Sequence, residues 1–350
     1  MRTETVKINK ELPLEPQLCR AAEVIRGGGL VAFPTETVYG LGANGLDEKA
    51  AAAIYAAKGR PSDNPLILHI DEPTKAEKYA YTCEAYYALA RKFMPGPLTV
   101  IMPKRDIVPM ATTGGLETVA LRCPENRIAR EFIRLCDLPI AAPSANISGK
   151  PSPTCAAHVL HDMDGRIDMV IDGGECDIGV ESTIVELAGG KATLLRPGAI
   201  TLDMLREVLG EVSEDPTITH IPEVGMRPKA PGMKYRHYAP SAPTVLICDD
   251  GTADFDMRAI KFLSAKKAED KKTGILCFEE YIPELAGKYT VSLGEKSDES
   301  EHARRLFAAL RHFDDLGADR IYATVSSTGD AGLAFYNRML KASGYNIEKV

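Results

Sequence analysis

Two segments of the chain set cations and hydroxyls at spacings suited to handling phosphate. "KGRPSDNPLILHI" puts Lys58 and Arg60 two residues apart, adds Asn64 in a turn, and ends on His69. Cations at that place complement a helix C-terminus in solvent, or they converge as a clamp on a polyphosphate. "PIAAPSANISGKPSPT" sets Ser144, Asn146, Ser148 and Ser152 behind a buried apolar run. Such a loop is a cap or turn, or, beyond the carboxyl end of a strand in an open α/β sheet, a set of donors for phosphate oxygens. In "ETVALRCPENRIAR" the apolar run from Thr118 closes on Arg122. A guanidinium there needs an internal carboxylate or an anionic ligand. Ser182 in "GVESTIVEL" and Arg196 in "LLRPGAIT" repeat the theme. The seven histidines are dispersed, and the eight cysteines form no C-x-x-C pair, which reads as free thiols and not as a metal or disulfide framework. Cations and hydroxyls without a protein nucleophile fit phosphoryl or nucleotidyl transfer, in which positioning and charge neutralisation do most of the catalysis.

"PTETVYGLGANG" contains a G-x-G-x-x-G pattern at residues 40–45. In a dinucleotide loop the first glycine ends a strand and the third opens a helix. Here the apolar run "LVAF" stops at Pro34, residues 34–39 intervene before Gly40, and Asp63 falls in a turn-rich segment. The spacing argues against NAD or FAD and predicts that these glycines serve a tight backbone turn.

The elements that must position these residues are short. "GLVAFP", "NPLILHI", "PLTVIM", "TVALR", "LPIAAPS", "DMVIDGG", "STIVEL" and "ATLLRPG" read as buried strands because each is brief, apolar and bounded by Gly or Pro. "LDEKAAAAIYAAKG", "CEAYYALARKF" and "ENRIAREFIRLC" read as helices. Strands that follow one another without a helix predict a mixed sheet. Residues 1–212 are therefore expected to form one α/β domain. Residues 213–243, rich in Pro and basic residues, are expected to be a linker, and 244–350 a smaller open α/β domain with strands such as "PTVLICDD" and "DRIYATVS". The 350-residue chain carries a net charge of −7, which argues against coating nucleic acid by bulk charge. No apolar run is long enough to span a membrane, and the amino terminus has no signal-peptide pattern, so a cytoplasmic protein is expected.

"PTETVYGLGANG", "KGRPSDNPL", "PGPLTVIM", "VALRCPEN", "APSANISGKPSPT", "ESTIVE" and "LLRPGAI" together closely resemble the YrdC-like family, and "APGMKYRHYAP" with the trailing domain resembles its long, two-domain members. The resemblance implies a YrdC-like twisted mixed sheet with flanking helices, followed by a Rossmann-like open α/β domain. It also implies synthesis of L-threonylcarbamoyl-AMP and pyrophosphate from L-threonine, bicarbonate or CO2, and ATP with Mg2+ on its phosphates. A separate transferase complex would use that product to modify tRNA next to the anticodon. On this chain the family's motifs place Lys58, Arg60, Ser144 and Asn146 at the nucleotide phosphates, with Asn64, Thr118, Ser152 and Arg196 as further ATP contacts. They place Thr37, with Thr35 as its neighbour, His69, Arg122, the Ala142 backbone and Ser182 around threonine. Tyr235, Arg236 and His237 of the linker are expected to fold over the nucleotide as a lid that keeps water from a mixed anhydride. The competing reading is a non-catalytic module for double-stranded RNA or tRNA, with weak RNA binding through a basic surface. A carbamoyl-transfer protein of the hydrogenase-maturation type ranks below it, because the zinc-finger cysteine spacing is absent.

Overall fold

The computed structural model describes residues 2–222, 225, 227–233, 237–325 and 332–350. The chain divides into two compact units, Met1–Ser148 with Ser152–Lys234, and Gly149–Pro151 with Tyr235–Val350. The division runs through the stretch read as a linker. Ala230 and Met233 pack into a core cluster of the first unit with Ile67, Ile101, Ala120, Ile184 and Leu195.

The first unit is built on one mixed sheet whose strands are β1 (Glu4–Lys7), β2 (Val31–Phe33), β3 (Gly40–Asn44), β4 (Ile67–His69), β5 (Leu98–Pro103), β6 (Thr118–Arg122), β7 (Ile140–Ala141), β8 (Met169–Asp172), β9 (Thr183–Ala188), β10 (Lys191–Arg196) and β11 (Ser213–Glu214). Their order in space is β1-β8-β2-β3-β7-β4-β6-β5-β9-β10-β11. Its helices are α1 (Leu14–Arg26), α2 (Glu48–Lys58), α3 (Glu84–Phe93), α4 (Arg127–Cys136), α5 (Ala156–Met163) and α6 (Leu202–Leu209). The β9–β10 hairpin turns on Gly189 and Gly190 with φ of 59° and 74°, the pair of positive values that a two-residue turn of the right twist needs. Helix α2 starts where the Asp47 carboxylate accepts from the Lys49 and Ala50 N–H groups, runs through an alanine-rich body, and stops at Gly59 with φ 61°. Asn126 caps α4 in the same way.

Of the glycines of residues 40–45, Gly45 lies in a turn closed by the Asp47 N–H on the Asn44 carbonyl, but Gly40 and Gly42 do not make the turn expected of them. Gly40 and Gly42 lie inside β3, paired with Phe33 and Val31. A Cβ on Gly42 would sit 2.8 Å from Ile140 Cγ2 and 3.0 Å from Phe33 Cε1, so the strand passes too close to its neighbours for any side chain.

The second unit carries β12 (Thr244–Cys248), α7 (Phe255–Glu269), β13 (Thr273–Cys277), α8 (Ile282–Leu285), β14 (Thr290–Ser292), α9 (Glu299–Leu316), β15 (Arg320–Thr324), α10 (Leu333–Ser343) and β16 (Ile347–Lys349). Its sheet is parallel throughout, in the order β14-β13-β15-β12-β16, and helices flank it. The short apolar runs of β12, β13 and β15 are buried, as a covered parallel sheet requires. Among the described residues no helix is long and apolar enough to cross a membrane.

Candidate active site

Strand register lines up one polar row across the first unit. His69 and Arg122 end the parallel strands β4 and β6 and stand side by side. Arg122 also pairs with Thr99 of the antiparallel β5. Thr99 Oγ1 lies 2.7 Å from Ser182 Oγ, and Arg196 at the end of β10 donates to Ser182 through Nε to the carbonyl (3.0 Å) and Nη2 to the hydroxyl (3.1 Å). Side chains alternate between faces along a strand, so His69, Arg122 and Thr99 share their face with Ile67, Ala120 and Ile101. That is the face on which Ala230 and Met233 pack. Arg196 Nη1 donates to the Pro231 carbonyl at 3.1 Å, so the 230–233 segment touches the polar row as well.

The electrostatics of the row follow from its dryness. His69 is 3% exposed, and burial, followed by the charge of Arg122, lowers its pKa to about 3, so the imidazole is neutral at ordinary pH. Arg122 has found the internal carboxylate that was one reading of it: Nη2 donates to Glu36 Oε1 at 2.6 Å, with both side chains 5% exposed. Glu36 belongs to the loop 34–37, whose geometry Thr35 sets. Thr35 Oγ1 donates to the Val38 carbonyl at 2.7 Å and accepts the N–H groups of Thr37 and Val38. The contact between the two threonine hydroxyls, 2.8 Å, is therefore donated by Thr37, whose oxygen keeps lone pairs.

A second cluster lies where α2 meets the loop after β7. Lys58 and Arg60 are 1% and 7% exposed, so they are not a solvated helix terminus. Lys58 Nζ donates to the carbonyls of Ser144 (2.5 Å) and Asn146 (2.6 Å), and Ser144 Oγ donates to Asn146 Oδ1 at 2.6 Å. The ammonium thus lies behind the loop as a point charge that fixes it. Arg60 Nη2 reaches the Pro65 carbonyl at 3.2 Å, and Asn64 Oδ1 is buried with no hydrogen-bond partner among the described residues. Ser144 forms a bridge to Gly40, and the Ala142 N–H donates to the Ile67 carbonyl, so this loop and the polar row share one frame. Ser152 Oγ donates to Glu181 Oε1 at 2.5 Å, next in sequence to Ser182. Thr118 opens β6, four residues or about 13 Å from Arg122 along the strand. His237 belongs to the second unit, its N–H on the Lys341 carbonyl at 3.2 Å and its ring against Tyr238. Tyr235 and Arg236 lie outside the described residues.

Glu36, Thr99 and Glu181 were not singled out by sequence reasoning. All three stand inside motifs quoted for their neighbours, but a lone carboxylate or hydroxyl carries no spacing signal until its partner is known.

A family model described as "Telomere recombination" matches residues 23–198, and one described as "Threonylcarbamoyl-AMP synthase, C-terminal domain" matches 200–344. The chain is 49% identical over 349 residues to a threonylcarbamoyl-AMP synthase of Pyrococcus abyssi, covering 99% of this chain and 100% of that one. It is 44% identical to the Bacillus subtilis protein of the same name, covering 95% and 94%. Among solved structures it is similar to P. abyssi Sua5 complexed with L-threonine, with 45% identity, 100% of each chain covered and a TM-score of 0.89. E. coli YciO shares the fold over 56% of this chain and 96% of its own, with TM-score 0.51 and 21% identity.

Proposed function

The chain belongs to the two-domain threonylcarbamoyl-AMP synthase family, and from that premise we propose how its residues turn L-threonine, bicarbonate or CO2, and ATP into L-threonylcarbamoyl-AMP and pyrophosphate for tRNA modification. The observation that carries the assignment of roles is the buried Arg122 beside neutral His69 at the ends of two parallel strands. Arg122 holds the threonine carboxylate with charge-assisted hydrogen bonds. Neutral His69, the Ser182 and Thr37 hydroxyls and the Ala142 backbone hold the rest of the amino acid without adding charge.

The threonine amine, as its free base, adds to CO2 and releases a proton to solvent to give a carbamate, and a carbamate oxygen attacks the α-phosphorus of ATP while the bond to pyrophosphate breaks. Lys58, Arg60 and Arg196 neutralise the phosphate charge, and Ser144, Asn146, Asn64, Ser152 and Thr118 orient the nucleotide. Among the described residues no three His, Cys, Asp or Glu side chains gather to hold a metal. Mg2+ would be carried to this site on the ATP phosphates, as it commonly is with nucleotide substrates. The ATP contacts of Tyr235 and His237, and the lid role of the linker, enter this proposal from the resemblance. The packing of Ala230 and Met233 on the sheet face that carries the polar row, with the Pro231 carbonyl on Arg196, supports a cover on the threonine side. A transferase complex then consumes the product.

The test is pyrophosphate release by the purified protein with ATP, Mg2+ and bicarbonate, with L-threonine, with L-serine, and with neither. Threonine-dependent release, with the adenylate identified by mass, supports the proposal. No release from folded protein overturns catalysis by this chain alone and moves RNA binding to the front.

A further inference from the structure

Two buried polar atoms without a hydrogen-bond partner among the described residues, Arg122 Nε and Glu36 Oε2, belong to opposite halves of one ion pair. Their other ends meet, Nη2 on Oε1 at 2.6 Å. A guanidinium and a carboxylate usually satisfy one another through two parallel bonds. Here a charged donor and a charged acceptor stay open in a dry site, each at the cost of its desolvation. The backbone holds the arrangement: the Ile178 and Gly179 N–H groups donate to the Glu36 and Thr37 carbonyls at 2.9 and 3.1 Å, and Arg122 is fixed between His69 and Thr99 in the sheet.

We infer that Glu36 receives the α-ammonium of the amino-acid substrate while Arg122 receives its carboxylate. The inference rests on the reading of Arg122 given above. An α-amino acid carries both charges on one carbon, and an open N–H beside an open carboxylate oxygen is the complement of that zwitterion. The remaining residues assigned to threonine are Thr37, His69, Ala142 and Ser182, and none is an anion. Without Glu36 the ammonium would enter a dry site that already holds the charge of Arg122. Glu36 also borders a cavity of about 410 Å³ shared with Lys10, Asn126, Arg127 and Asp177, so its end of the pair adjoins open space.

The test compares binding, by calorimetry, of L-threonine and of the analogue with a hydroxyl in place of the α-amino group. The full-length protein should bind threonine at least about tenfold more tightly than the analogue, as a charge-assisted hydrogen bond implies. Glu36→Gln keeps an oxygen for Arg122 but no charge. It should lower threonine affinity by a similar factor and leave the analogue's affinity unchanged. Equal binding of both ligands by the unaltered protein overturns the inference whether or not the variant folds. Equal loss of both ligands in Glu36→Gln also overturns it, because that is the mark of a residue that only orients Arg122. Threonine binding with its preference intact in the variant removes this inference and leaves the proposed function standing. Failure of the unaltered protein to bind threonine removes both.

Discussion

Replacing Arg122 by Met leaves the Glu36 carboxylate without its partner in a site where both side chains are 5% exposed. Stranding one member of a buried ion pair costs about 3–5 kcal/mol, and Glu36→Met should cost about the same by stranding the guanidinium. If the two losses added, the double variant would fall by about 6–10 kcal/mol. It should instead stay within about 2 kcal/mol of the unaltered protein, because a buried pair replaced by two apolar side chains of similar volume is near neutral. The coupling energy is then about 4 kcal/mol or more. Hydrogen exchange of the first unit in increasing urea gives the readout, with the Ile70 N–H, which donates to the Arg122 carbonyl, as the local probe. All three variants should lose threonine-dependent pyrophosphate release, so stability returns in the double variant while activity does not. A double variant as unstable as the sum of its parts would refute the reasoning that this is a tightly coupled dry pair. An active one would refute Arg122 as the threonine ligand.

Gly42→Ala should destabilise the first unit by about 1–3 kcal/mol in urea unfolding, because its methyl meets Ile140 and Phe33 at 2.8 and 3.0 Å and the core must shift. His69 binds a proton at pH 6.5 when unfolded but only near pH 3 when folded, so the unfolded state takes up more protons between those values. Stability of the first unit should therefore be full above pH 6.5 and fall as the solution is acidified, by up to about 1.4 kcal/mol per pH unit from this group. The His69 ring resonance should show no titration between pH 5 and 8. Lys58→Met removes the cation that ties Ser144 and Asn146 to α2. It should abolish ATP-dependent pyrophosphate release and also weaken calorimetric threonine binding to a smaller extent, since the loop it ties follows Ala142 and bridges to Gly40.

The strands that carry the site were legible because each is a brief apolar run closed by Gly or Pro, and β4, β6 and β10 end on the polar residue that gave them away: His69, Arg122 and Arg196. Helix α2 announced itself through Asp47, its alanines and Gly59. Strand β3 did not, because glycines present no alternation of polar and apolar side chains, and β1 and β16 are short, largely polar edge strands. The ordered motifs carry the family, and with it the class of chemistry.

Sequence by itself thus determined which side chains are present at strand ends and in loops, since propensity, capping and periodicity act between near neighbours in the chain. Only the tertiary structure decided what those side chains meet. Glu36 and Arg122 are 86 residues apart and join because the order β3-β7-β4-β6 folds the loop before β3 onto the end of β6. Strand order and register are settled by packing of whole faces against one another. A carboxylate's role in such a sheet follows from the partner that this packing brings to it.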